Sequence, residues 1–157
     1  MNIINFSGGR TSAYMTKRLI DEGLTDYLVL FQNTGKESLQ TLDFINECDI
    51  RWNLNVVWLE YRSRNKYEIV TYETASRQGE PFEMVISDNN MLPNSYARFC
   101  TRVLKQETAE RYLKDIGINE YDKYLGIRYD EPKRWMKRVN IENEFWNYPS
   151  GAGSVSF

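Results

Sequence analysis

The chain has 157 residues, a net charge of −2, 41% apolar residues, no histidine and two cysteines. That is one domain's length with enough apolar material for a core, and a net field that attracts no polyanion. Without histidine, Ser-His-Asp and Cys-His catalysis and His-ligated zinc are excluded within these residues, and Cys48 and Cys100 cannot supply the four thiolates of an ordinary iron–sulfur cluster.

In chain order, Asn2–Phe6 predicts a short buried strand that stops at Ser-Gly-Gly. From Ser12, the positions Ala13, Met15, Leu19 and Ile20 keep helical spacing, which Gly23 ends. Asp26–Gln32 is a second strand, apolar throughout as in a parallel sheet covered on both faces. "NTGKES" turns into a helix with Leu39, Leu42, Phe44 and Ile45 as core candidates, and Asn55–Glu60 is a third strand. The order β-α-β-α-β predicts an α/β protein.

Residues 61–98 read as an irregular insertion, broken by Gly79 and Pro81, where a lid or substrate-binding segment is expected. Helical spacing resumes at Thr101 and runs to about Gly117 through Val103, Leu104, Ala109, Tyr112 and Leu113; Tyr121–Arg128 predicts another strand. The expected domain spans residues 1–148, with a flexible or truncated tail over 149–157. The first strand begins with no charged and apolar leader ahead of it, and no run approaches the roughly 18 apolar residues of a membrane span. With two distant cysteines and no disulfide framework, a reducing cytoplasm is the expected location, with no membrane partner.

The first strand-to-helix turn, "FSGGRTSAYM", lacks the spacing of a Walker A loop and of G-x-G-x-x-G. It holds what an anion site needs. Gly8 and Gly9 allow close backbone approach and positive φ; the helix behind them offers unpaired N–H groups and a positive dipole end. Ser7, Thr11 and Ser12 add hydroxyls and Arg10 adds a fork of donors. The competing reading is a tight turn with an ordinary Ser or Thr cap. Its place after the first strand favours phosphate, because open α/β sheets bind ligands at the carboxyl ends of their strands.

This turn resembles the SGGxxS loop of the PP-loop, adenine nucleotide α-hydrolase-like superfamily. Three further segments, "FQNTGKESLQTLDFI", "RFCTRVLKQETAERYL" and "YLGIRYDEPKRW", resemble the phosphoadenosine phosphosulfate (PAPS) reductase-like branch, which includes phage-encoded members. The resemblance covers residues 3–135. It implies an open, mostly parallel five-stranded sheet between helices, a Rossmann-like three-layer sandwich. ATP or PAPS would lie across the strand ends with Mg²⁺ and no iron–sulfur cluster. Ser7, Gly8, Gly9, Arg10, Thr11 and Ser12 would wrap the phosphates, and Phe31, Asn33, Thr34 and Gly35 would meet the adenine end. Gly126 and the basic rim of Arg98, Arg102, Lys105, Arg128 and Arg134 would complete the site. Arg10, Ser12, Lys105 and Arg128 are the catalytic expectation.

The chain departs from the family pattern at Thr11 and Asn33, where aspartate is usual, and in having no cysteine after Cys100. The missing cysteines count against sulfonucleotide reduction, whereas Thr11 supplies no negative charge for arranging a cation and counts against ATP cleavage; the expected reaction is AMP-forming cleavage of ATP with transfer to an acceptor. Sulfonucleotide reduction or sulfur transfer, and nucleotide sequestration without turnover, are the alternatives. Several residues carry two readings. Cys100 is a reactive thiol at a helix start or a small packing residue. Asp130 and Glu131 orient Arg128, help hold Mg²⁺, or are plain surface acids. Asn33 caps its turn, and Glu37 the helix that follows. Lys133–Arg138, "KRWMKR", is a solvated basic strip or a contact for tRNA or DNA. A protein partner or a homodimer is the remaining expectation.

Overall fold

The computed structural model describes residues 1–64, 66–92 and 99–127. Among the described residues the strands form one sheet in the order β4-β3-β2-β1-β5. β1 (Asn2–Asn5), β2 (Tyr27–Asn33), β3 (Val57–Arg62) and β5 (Asp122–Leu125) run parallel, and β4 (Lys66–Val70) is an antiparallel edge. The fold is the expected open, mostly parallel five-stranded α/β sandwich. The chain steps outward from β1 to β2 to β3, then returns to lay β5 on the far side of β1. That reversal puts the topological switch point between β1 and β5 at the carboxyl ends, the position where such sheets bind ligands.

The continuous apolar strands are explained by cover on both faces. Ile4, Phe6, Val29, Phe31 and Trp58 pack with Ala13 and Met15 of α1 (Arg10–Asp21) and Leu42, Ile45 and Cys48 of α2 (Leu39–Trp52). Ile3, Leu30 and Leu59 point the other way, against Ala109, Tyr112 and Leu113 of α5 (Thr108–Asp115). Beside them Tyr61 packs with Val85 of α3 (Glu80–Asn89) and with Val103 and Leu104. Within α2 the core positions are Leu42, Ile45 and Cys48; Leu39, expected inside, is 58% exposed because it opens the helix directly after the Ser38 cap.

The region expected to be an irregular insertion contains a strand and a helix. β4 forms a hairpin with β3, and Pro81, read as a breaker, lies in the first turn of α3, where its missing N–H costs nothing. The helix expected from Thr101 begins as α4 (Phe99–Thr101), passes through a π-helical turn (Arg102–Glu107) and continues as α5. Buried Thr108 supports the wide turn by donating its hydroxyl to the carbonyl of Val103, five residues back, at 2.8 Å. Thr108→Val is expected to cost about 1 kcal/mol, read as a lower urea midpoint with an unchanged slope.

Candidate functional site

The carboxyl edge of the sheet collects four connections: Ser7–Gly9 after β1, Thr34–Ser38 after β2, the hairpin turn after β3, and Gly126 after β5. α1 starts immediately behind the first of them. Its N-cap is Gly9, and no side chain caps the helix. The first intrahelical bond is Ala13 N–H to the Gly9 carbonyl at 3.0 Å, so the N–H groups ahead of it have no acceptor in the helix.

The two glycines serve different purposes. Gly8 has φ +75°, and a Cβ there would lie 2.6 Å from Thr41 Cγ2 and 2.8 Å from Ile45 Cδ1, so it seats the loop on α2. Gly9, expected to share the positive φ, has φ −91° and ψ 156° and is extended. A Cβ on Gly9 would meet only Ser7 Oγ, at 3.8 Å. Its missing side chain keeps the helix end open rather than fitting a turn.

The hydroxyls divide in the same way. Ser12 is buried; its Oγ donates to the Gly9 carbonyl at 2.8 Å and accepts from Ser7 Oγ at 3.1 Å, which ties the loop to the helix. Arg10 is exposed and has no partner among the described residues. Gly126 is held by packing: a Cβ there would stand 2.8 Å from Ser12 Cα and 2.9 Å from its nitrogen. The end of β5 is thereby pressed onto the first turn of α1.

After β2, the Phe31 ring is buried edge-on against Trp58 at 4.8 Å, so this expected nucleotide contact belongs to the core and leaves only its backbone near the edge. Buried Asn33 caps its own turn, accepting from Gly35 N–H at 3.1 Å. Glu37 does not cap α2, which uses Ser38; it folds back onto Thr34, accepting from that residue's N–H at 3.0 Å and from its hydroxyl. Lys105 reaches this turn from the π-helical segment, with Nζ 3.7 Å from Glu37 Oε1. Arg102 is 64% exposed and paired along its own helix with Glu107 at 3.2 Å. The structure thus brings Lys105 to the turn after β2, whereas Arg102 is held to its own helix.

Cys100 is half-buried against the Tyr61, Val85, Val103 and Leu104 cluster, the packing reading of that residue. Cys48 is buried in the α2 face of the core, and desolvation raises its thiol pKa. Arg98, Arg128, Arg134, Asp130, Glu131 and the Lys133–Arg138 strip lie outside the described residues. Among the described residues no group of three or more Cys, Asp or Glu could hold a metal ion, and no helix is long and apolar enough to cross a membrane. A shallow depression along α1 is lined by Lys17, Asp21, Arg18 and Glu22, whose charges pair with one another, and it stands apart from the strand ends.

One residue at this edge carries no local sequence signal beyond ending an apolar run. Glu60, the fourth residue of β3, is 0% exposed. Its Oε1 accepts from Asn33 Nδ2 at 2.7 Å and from Ser76 N–H at 2.6 Å; its Oε2 accepts from Ser76 Oγ at 2.7 Å and from Arg62 Nη1 at 3.0 Å. Charge at the end of a buried strand, in "VVWLE", is the pattern that could have marked it.

Comparison with known proteins agrees with this architecture. The chain is 30% identical over 153 residues to the uncharacterized nin region protein ORF290 of Escherichia phage lambda, covering 90% of this chain and 52% of that protein. It is 29% identical over 110 residues to an uncharacterized protein of Methanocaldococcus jannaschii, covering 70% of this chain and 22% of that one. The chain therefore spans about half the length of the first relative and about a fifth of the second. No solved structure matches it. Residues 1–147 match the phosphoadenosine phosphosulfate reductase domain, and with the parallel sheet and the glycine turn at its switch point already in place, the chain belongs to that family.

Proposed function

We propose that the protein binds an adenine nucleotide across the carboxyl ends of β1 and β2, with the phosphates on Ser7–Ser12 and the base end at Thr34–Gly35, and that it cleaves ATP to AMP and pyrophosphate. The observation that carries this reading is the uncapped start of α1 at the β1/β5 switch point, where Gly9 puts no side chain over the helix end. Backbone N–H groups and a helix dipole at that point favour a polyanion. Arg10 adds a guanidinium that has no partner among the described residues at the same end.

In the proposed reaction a nucleophile on the acceptor attacks the α-phosphorus. The bond from that phosphorus to the α,β-bridging oxygen breaks, and the electron pair leaves with pyrophosphate; the acceptor is left adenylated and releases AMP when a second nucleophile, water included, displaces it. The helix N–H groups and Arg10 take up the charge that builds on the leaving group, which is electrostatic stabilisation by preorganised donors. Mg²⁺ enters as part of the ATP complex, since it prefers substrate phosphates with few protein carboxylates. Lys105, at the turn after β2, is available to the same nucleotide once its contact with Glu37 loosens.

Calorimetry with ATP, PAPS, AMP and pyrophosphate, followed by incubation with Mg²⁺, ATP and candidate acceptors, tests the reading. Micromolar ATP binding and appearance of AMP are expected. Binding without any AMP would point to a sequestering module, and no binding would overturn the reading. Family membership favours a second ligand, PAPS or adenosine phosphosulfate, at the same loop. Cys100→Ser separates the two enzymes, because only a thiol-dependent reduction loses its activity.

A further inference from the structure

The segment between β4 and α3 is fastened to the strand ends by Glu60, and the manner of fastening reaches the turn after β2. Each oxygen of the buried carboxylate receives two donors: Asn33 and Ser76 N–H on one, Ser76 Oγ and Arg62 on the other. An amide could not take this place, since its own NH₂ would face two donors. Asn33 spends its second N–H on the Ser76 carbonyl at 2.8 Å, and its oxygen holds Gly35 N–H. One carboxylate therefore joins the end of β2, the end of β3 and Ser76.

The contact continues past Ser76. Lys36 Nζ donates to the Gln78 carbonyl at 3.2 Å. Gly35 and Gly79, both at positive φ, lie so close that a Cβ on Gly35 would stand 2.9 Å from Gly79 Cα and 3.0 Å from Pro81 Cδ. The Thr34–Lys36 turn cannot shift without moving this segment. The Ser7–Ser12 loop shares none of these bonds; the Ser7 and Ser12 hydroxyls bond within the loop.

We infer that Ser76–Pro81 is a wall of the pocket for the base end of the nucleotide and that Glu60 is the positioning residue that holds it there. This rests on the proposal that an adenine nucleotide lies with its base end at Thr34–Gly35. It adds a separation: the phosphate end at the start of α1 takes no part in the Glu60 network, and the base end depends on it.

The test is calorimetry with ATP and with inorganic pyrophosphate on the wild-type protein and on Ser76→Ala, Ser76→Thr and Glu60→Gln, each checked for a cooperative thermal melt. Ser76→Ala should bind ATP about tenfold more weakly, while its pyrophosphate affinity stays within about twofold. Ser76→Thr, which keeps the hydroxyl, should restore ATP binding. Glu60→Gln should show the same split more strongly; if it does not fold, the two Ser76 variants still decide. Folded variants that bind both ligands as the wild type does, or lose both in proportion, overturn the inference. So does a wild-type protein that binds pyrophosphate as tightly as ATP, an outcome that spares the phosphate loop. A wild-type protein that binds neither ligand overturns the nucleotide reading itself, and the wall with it.

Discussion

A Gly9→Asp variant should be at least as stable as the wild type and should bind nucleotide about 100-fold more weakly. Gly9 is the N-cap of α1 in an extended conformation open to any residue, and a side chain there meets nothing closer than Ser7 Oγ at 3.8 Å. An aspartate at an N-cap accepts from the second or third N–H of the helix, and its charge faces the positive dipole end. Together these are worth about 0.5–1 kcal/mol, or about 1–4 °C in melting temperature for a domain of this size. The same carboxylate fills the place of the phosphates and repels them. Calorimetric titration with ATP and a thermal melt on the same sample read both effects. Unimpaired binding would remove the phosphates from the start of α1. Gly8→Val is the poorer experiment, because that glycine has positive φ and lies against Thr41 and Ile45, so lost binding would follow from a broken fold.

Gly126→Ala should lower stability by about 2–3 kcal/mol. The added methyl meets backbone atoms of Ser12, at 2.8 and 2.9 Å, rather than the end of a flexible side chain. Either β5 or the first turn of α1 must move, and that turn also holds the Ser12 to Gly9 bond. Gly117→Ala is the control. It carries only a positive φ of +81° with nothing within 4 Å of the new methyl, and should cost about 1 kcal/mol. Chemical denaturation of both variants makes the comparison. Equal losses would show that the end of β5 is not pressed onto α1.

Much of this arrangement was legible in the chain. Ile3 and Ile4 are adjacent apolar residues that face opposite layers, which is why a continuous apolar run reports a buried parallel strand. Asn33 as the cap of its own turn was readable because an Asx turn needs only its own neighbours. Phe31 sits where the resemblance places the adenine, and alternation along β2 turns its ring inward to Trp58, which leaves its backbone for such a contact. Other readings went astray for identifiable reasons. Glu37 stands one residue before the helix cap and finds Thr34 and Lys105 instead. β4 was concealed because an edge strand with Lys66 and Glu68 lacks the apolar run that marks the interior ones.

The sequence by itself determined the β-α-β-α-β order, the glycine turn at the first strand end and the absence of any histidine chemistry. These are properties of neighbouring residues: periodicity, breakers and composition act over a few positions, and the chain carries them wherever it goes. Only the tertiary structure decided that β5 returns beside β1, that Gly126 meets Ser12, that Gly8 is a packing glycine and Gly9 an opening, and that Glu60 gathers Asn33, Arg62 and Ser76. Apart from Arg62, two residues from Glu60, those partners are distant in the chain, and they meet because the layers on the two faces of the sheet leave each strand end a single place to go.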